Sequence, residues 1–550
     1  MTSQRTPAPQ PPHAPRERFV LDSAHVGDIQ GAFGTIKLDA RTSGSARARL
    51  MALLAIIGPG LIVMVGDNDA GGVATYSQAG QNYGTSLLWV LILLIPVLIV
   101  NQEMVVRLGA VTGVGHAKLI NERFGRFWGW FSVGDLFLLN FLTIITEFAG
   151  VDMALGYFGL SKYVAVPVAA LALVAITASG SFRVWERSMF VFVFANLLVI
   201  PLFFLAHPHV GTIARDFVVP GIQGGTNSTA VLLIIGMVGT TVAPWQLFFQ
   251  QSNVIDKRIT PRWINYERLD TWIGAFVVVI GAAAIIAVSA FAFRHTPYFG
   301  GFSSAGATAS ALGHTLGSVA GALFALVLLN ASLIGAGALT LSTSYAFGDV
   351  FGTKSSLHRS FSDAKSFYLS FAALIMGAAA IVLIPGAPLG VITLAVQALA
   401  GVLLPSASVF LLLLCNDREV LGPWRNPFWL NALASVIVAV LILLSLILMA
   451  TTLFPHVDVA SVSLGGGAVL ALGLLAFGAS AMRGRRSAEA VTEEDGEDEI
   501  PKEEWTMPSI ALLARPAWSR SRKLAMLTMR SYLLVSMILL IVKAIQLGGG

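Results

Sequence analysis

Long apolar runs separated by short polar loops fill most of the chain. They begin near Leu50, Ser86, Trp128, Tyr163, Trp185 and Thr229, and again near Trp272, Val319, Ser366, Pro388, Trp429 and Ser461. Crossing the hydrocarbon core of a bilayer takes about 20 residues of helix, so the pattern predicts twelve membrane spans. A last apolar run, 525–547, carries Arg530 and Lys543 and reads either as a further span or as a helix lying in the interface.

Two runs are interrupted. Inside the apolar stretch from Met51 to Ala79 stands Gly66-Asp67-Asn68-Asp69-Ala70-Gly71-Gly72. A carboxylate at mid-bilayer depth costs roughly 2.5 to 3.5 kcal/mol, so two of them within three residues mark a broken helix that is expected to hold a cation. The sixth run contains Gly236-Met237-Val238-Gly239-Thr240-Thr241-Val242-Ala243-Pro244-Trp245, where glycines, threonines and a proline break the apolar pattern. Corresponding breaks five spans apart point to an all-α membrane transporter built from two inverted five-span halves, with its site at the midplane.

The expected organisation follows. Residues 1–49 form a disordered cytosolic tail, and 50–415 the transporter core, with repeats at about 50–208 and 228–415. Spans 11 and 12 occupy 416–482, an acidic cytosolic linker 483–524, and the possible extra span or interfacial helix 525–550. At the site, Asp69 is the first ligand, and Asp67 joins only if the backbone unwinds, since the two point apart in an intact helix. Carbonyls near Ala70 and from Thr240 to Ala243 bind the ion or its water, and Asn68, Thr241 and Gln246 hold hydration water.

Composition agrees with this picture: 55% of residues are hydrophobic, 12% are charged and the mean hydropathy is +0.76. The net charge of +5 reports orientation rather than a nucleic-acid partner. Arg107, Lys118, Arg123, Arg126, Arg183, Arg187, Lys257, Arg258, Arg262, Arg268, Lys354, Arg359, Lys365, Arg418 and Arg425 fall in alternate loops, which places those loops and the N-terminus in the cytosol of a multi-pass cell-membrane protein. The single Cys415 rules out a disulfide framework. No nucleophile–base pair, zinc spacing or phosphate loop supports an enzyme or a bound cofactor. His116 reads as an ordinary surface group in a basic loop. Asn140, Asn196 and Asn330 read as links between helices, and Trp128, Trp130 and Trp429 as an interfacial belt. Oligomeric state has no signal.

Gly58-Pro59-Gly60, Asp69-Ala70-Gly71-Gly72, Ala74-Thr75, Gln78-Ala79-Gly80, Arg107-Leu108-Gly109 and Val111-Thr112-Gly113 together resemble the Nramp family, as do Thr146-Glu147-Phe148-Ala149-Gly150, Ala331-Ser332-Leu333-Ile334-Gly335, Gln397 and Pro405. The resemblance implies the LeuT-like inverted repeat and transport of a divalent metal ion, with Gln397 as a ligand that closes over the ion. Typical members carry Asp-Pro-Gly-Asn in the first break and Met-Pro-His in the sixth span. Here Ala70 and Gly72 replace Pro and Asn, and Ala243 and Trp245 replace Met and His.

Thioethers favour softer metals, whereas Mg²⁺ takes hard oxygen ligands and keeps several waters. The departures therefore resemble the Nramp-related magnesium transporters, with Mn²⁺ still accepted, and the missing side chains at Gly72 and Ala243 are expected to leave room for water. The histidine positions are occupied by Trp245 and Gln250 and the family's span 3 aspartate by Ile144, leaving Glu147 as a lone buried acid. Uptake without proton coupling is the expectation. Its alternatives are a proton-coupled Mn²⁺/Fe²⁺ importer and, from another substrate class, a sodium-coupled amino-acid symporter of the same fold.

Overall fold

Apart from one short hairpin, the regular elements among the described residues of the computed structural model are all helices. It describes residues 20, 22–41, 45–225, 227–387, 389–454, 458–488 and 501–513, with 527, 531, 532, 534, 535 and 538. The expectations for 1–19, most of the acidic linker and most of the last apolar run fall outside these residues.

The hairpin pairs β1 (Ile29–Gly31) with β2 (Gly34–Ile36). The first apolar run then forms three helices, α1 (Ala46–Ile56), α2 (Pro59–Gly66) and α3 (Ala70–Tyr83). It is followed by α4 (Leu88–Thr112), α5 (His116–Phe124), α6 (Arg126–Tyr157), α7 (Lys162–Thr177), α8 (Phe182–Ala195), α9 (Val199–Leu205) and α10 (Val210–Val218). The sixth run gives α11 (Ser228–Thr241) and α12 (Pro244–Asp256). Then come α13 (Ile264–Phe293), α14 (Ala305–Thr315), α15 (Ser318–Phe351), α16 (Lys365–Val382), α17 (Leu389–Cys415), α18 (Arg418–Leu421), α19 (Phe428–Leu453) and α20 (Val459–Ala488). Among the described residues, eight helical stretches are long and apolar enough to cross a membrane, or up to ten if each bent pair is one span.

Local chemistry sets the interruptions. Gly58 sits at φ 151°, a conformation open to glycine, and the chain bends by 48° between α1 and α2. Pro59 then opens α2, where its missing N–H is no loss. The chain leaves the helix at Asp67 and re-enters it at Ala70, with Asp69 as N-cap: its Oδ1 accepts the Gly72 N–H at 2.6 Å. In the sixth run, Val242 and Ala243 are extended and Pro244 starts α12. Around these breaks, α3 packs on α13, α11, α17 and α6, while α15 and α6 run side by side through the centre.

Several expectations are corrected. Residues 22–40 are folded, because their backbone is held by side chains far along the chain. Arg258 donates to Ala24 O and Asp28 O, Arg183 and Arg187 to Gly31 O and Ala32 O, Arg262 to Ala40 O, and Arg359 grips Asp22 through two nitrogens. The linker also docks where it is described: Lys502 O accepts the Trp424 indole N–H at 2.7 Å, and the Met507 N–H reaches Val111 O at 3.1 Å. His116 is fully buried, its Nδ1 2.9 Å from Gln251 Oε1. Trp128 is buried against Phe410, while Trp130 and Trp429 are exposed. Asn140 and Asn330 do link helices, to Thr343 and to Phe192 O. Asn196 instead bonds back to Phe192 O, four residues earlier.

Candidate metal site

The two breaks meet. Tyr76 on α3 and Thr241 at the end of α11 bring their hydroxyls to 2.7 Å, and because Thr241 donates to Met237 O at 2.6 Å, Tyr76 is the donor between them. Asp67 is fully buried and neither of its carboxylate oxygens has a hydrogen-bond partner. Asp69, 3% exposed, directs Oδ1 to Gly72. Ionised carboxylates buried without a basic partner are costly, so such a pair is held either protonated or against a cation.

Neutral oxygens complete the surroundings. Thr240 Oγ1 is buried and unpartnered, 3.3 Å from where a Gly72 β-carbon would stand. Gln397 on α17 lies against Gly71 so closely that any side chain there would displace it, with its Nε2 also unpartnered. Gln246 on α12 donates to Thr241 O at 3.2 Å and accepts from Gln102 Nε2 at 3.0 Å, fixing the start of α12 against α4. Both aspartates, Thr241 and Gln246 are closed off from solvent.

Glu147 reaches the first break directly. Its Oε2 accepts the Ala70 N–H at 3.1 Å, its Oε1 has no partner, and its carboxyl group neighbours that of Asp69. Gly335 makes the approach possible, since a β-carbon there would stand 2.8 Å from Glu147 Oε2 and 3.0 Å from Asp69 Cβ.

Of the residues expected at the site, Asp67, Asp69, Ala70, Gly72, Thr241, Ala243, Gln246 and Gln397 gather around the two breaks. Asn68 does not: it donates to Val278 O at 3.1 Å and faces α13. Gly72 is not open space either, because a β-carbon there would press on Asp67 O at 2.8 Å and sit 3.4 Å from Asp69 Oδ1. Its missing side chain admits backbone rather than water. Sequence reading missed Tyr76, although it lies two turns after Asp69 and so on the same face of α3. It also missed the side chain of Thr240 and the contact between Glu147 and the break.

Among the described residues no group of three His, Cys, Asp or Glu side chains could hold a metal ion. The first break brings together the carboxyl groups of Asp67, Asp69 and Glu147 with a set of neutral oxygens.

Comparison with known proteins agrees with this architecture. A divalent metal cation transporter MntH from Staphylococcus aureus strain Mu3 is 24% identical over 470 residues, covering 80% of this chain and 98% of the relative. The crystal structure of the Eremococcus coleocola manganese transporter in complex with an aromatic bis-isothiourea substituted compound superposes with a TM-score of 0.59 at 19% identity, covering 80% of this chain and 96% of that one. These solved neighbours share the LeuT-like fold. The family described as natural resistance-associated macrophage protein-like matches residues 60–451, and the chain belongs to that Nramp family.

Proposed function

We propose that the protein carries a divalent metal cation, Mg²⁺ with most of its water and also Mn²⁺, into the cell by alternating access and without proton coupling. The observation that carries this reading is the buried, unpartnered carboxylate of Asp67 beside Asp69, between two facing helix breaks whose other side chains offer oxygen. Hard oxygen donors suit Mg²⁺ and Mn²⁺, and neither Ala243 nor Trp245 supplies the thioether or imidazole that would favour softer metals. Asp69 acts as the principal ligand, while Asp67, Thr240, Thr241 and Gln397 hold the ion's water.

The relatives' names support the substrate class, and the arginines that gather on the hairpin support the topology. Arg183, Arg187, Arg258, Arg262 and Arg359 come from loops that the sequence assigns to the cytosol, and they converge on one face. Counting the shorter apolar helices Lys162–Thr177 and Ser461–Leu475 with the bent pairs supports twelve spans. The membrane potential supplies the drive: at about 2.3 kcal/mol per elementary charge per 100 mV, a divalent ion entering a negative interior gains roughly twice that.

The test is uptake of Mg²⁺ and Mn²⁺ into proteoliposomes under a negative-inside potential. Wild-type flux is expected and Asp69→Ala should abolish it; equal Mg²⁺ flux in the two proteins would overturn the site. One observation favours a second reading, proton-coupled Mn²⁺/Fe²⁺ import, namely that Glu147 touches the break. Under that reading an acidic exterior drives uptake and the lumen acidifies with the metal.

A further inference from the structure

We propose that the 22–40 segment is a latch on the inner gate, acting through Glu186 and Lys257 as positioning residues. The inference rests on the transporter reading given above.

Two contacts hold the pivot at Gly58. Asp270 on α13 accepts the N–H groups of Gly58, Gly60 and Leu61 at 3.0, 2.8 and 3.3 Å, so it caps α2 from outside the helix. On the other side of the bend, Lys257 Nζ donates to Ile57 O at 2.9 Å and pairs with Glu186 Oε1 at 2.5 Å, both side chains fully buried. The last carbonyl before the pivot is thereby tied to α12 and α8. A β-carbon at Gly58 would collide with Glu186, so the pair fills the inside of the bend.

The hairpin completes this clamp. Between its two strands, the Ala32 N–H donates to the other oxygen of Glu186, Oε2, at 2.5 Å. Gly31 lies directly on the Ala55 carbonyl, and Gly34 is close enough that a β-carbon would stand 3.1 Å from Ala55 Cβ. The hairpin thus touches both α1 and the carboxylate that positions Lys257. The chain before it is fixed to other loops: Asp22 by Arg359, Ala24 O and Asp28 O by Arg258, and His25 Nε2 at 3.1 Å from Ser355 O. To swing α1 about Gly58 and open α12 to the cytosol, the Ala32–Glu186 and Glu186–Lys257 contacts must part. With them in place α12 is buried along its whole length.

The test is thiol accessibility in the full chain. Asn253, buried on α12 with an unpartnered amide, becomes the reporter as Asn253→Cys in a Cys415→Ala background. It is labelled by an impermeant maleimide from the cytosolic side of vesicles. Ala32→Pro, which removes the N–H that Glu186 accepts, and Arg359→Ala, which frees Asp22, are each expected to speed labelling about fivefold or more, as population shifts toward the open form. The charge exchange Glu186→Lys with Lys257→Glu should label more slowly than either single change. Lys365→Ala, exposed at the start of α16 and outside the 22–40 segment, should leave the rate unaltered.

Unchanged labelling in both Ala32→Pro and Arg359→Ala, or equal acceleration in Lys365→Ala, would overturn the latch. If Ala32→Pro does not fold, Arg359→Ala alone decides. The same measurement in Asp69→Ala reads the latch without reference to any ion, so its failure is separable from failure of the metal reading.

Discussion

The Tyr76 hydroxyl donates to the Thr241 hydroxyl across 2.7 Å and so joins the two broken spans at the level of the aspartates. A hydrogen bond of this kind contributes about 1 kcal/mol net. Tyr76→Phe should therefore slow ion uptake roughly fivefold while leaving the protein folded. Initial-rate uptake alongside size-exclusion elution checks both halves of the statement.

Asp67 gives a sharper test because its carboxylate is buried with no partner. Removing the charge should relieve a penalty in the resting protein and remove an attraction for the passing ion. Asp67→Asn is expected to raise the thermal midpoint of the detergent-solubilised protein and to lower Mg²⁺ uptake about tenfold or more. A lower midpoint with unchanged uptake would mean that Asp67 is structural.

Ala243 follows Thr241 by two residues and opens onto the second break. Ala243→Met places a thioether there, which favours softer ions. Mn²⁺ uptake by that variant should resist Mg²⁺, with the inhibiting concentration raised about tenfold, equivalent to about 1.4 kcal/mol of discrimination. Competition with labelled Mn²⁺ measures it.

Glu147→Gln separates the two readings of coupling. The substituted amide retains an oxygen for the Ala70 N–H that Glu147 accepts but no longer carries a transferable proton. Uptake within about threefold of wild type, without luminal acidification in either protein, fits uncoupled transport. Loss of a pH-driven component on substitution would establish coupling.

The latch has its own pH window. Burial pushes the Asp22 carboxyl up, but the Arg359 hydrogen bonds, the Ala24 N–H and the nearby charges of His25 and Arg359 outweigh it and hold the group below its ordinary 3.8. A depressed carboxyl stabilises the folded form above its unfolded value and loses that contribution as pH falls through the folded one. The Asp22 end should therefore stay docked at neutral pH and release only below 3.8. Hydrogen exchange over residues 22–36, corrected for intrinsic rates, should show protection at pH 6 that is lost only below pH 3.8, and that is already lost at pH 6 in Arg359→Ala.

The broken spans were legible because aspartates, glycines and a proline in an apolar run have few other physical uses; Asp69 sits at the break as the pattern implied, and Gln397 as the family resemblance implied. The hairpin was not legible. Its strands are three residues each, too short for alternation to register, and its fastenings are arginines more than 140 positions away. Asn68 was misplaced for a related reason. Three adjacent polar residues in a break look equivalent in sequence, while the backbone turn sends each to a different wall. Gly72 failed in the opposite sense, because an absent side chain does not reveal whether water or a carbonyl takes the space.

Gly72 also bears on how the site can be re-engineered. With Asp67 O 2.8 Å from any β-carbon at that position, restoring the Asn of typical relatives requires the Asp67 backbone to retreat first. A Gly72→Asn change in this chain therefore needs an accommodating change near residue 67. Position 72 is thus coupled to the turn before it, and chimaeras that graft the typical motif should succeed only when the whole turn is exchanged.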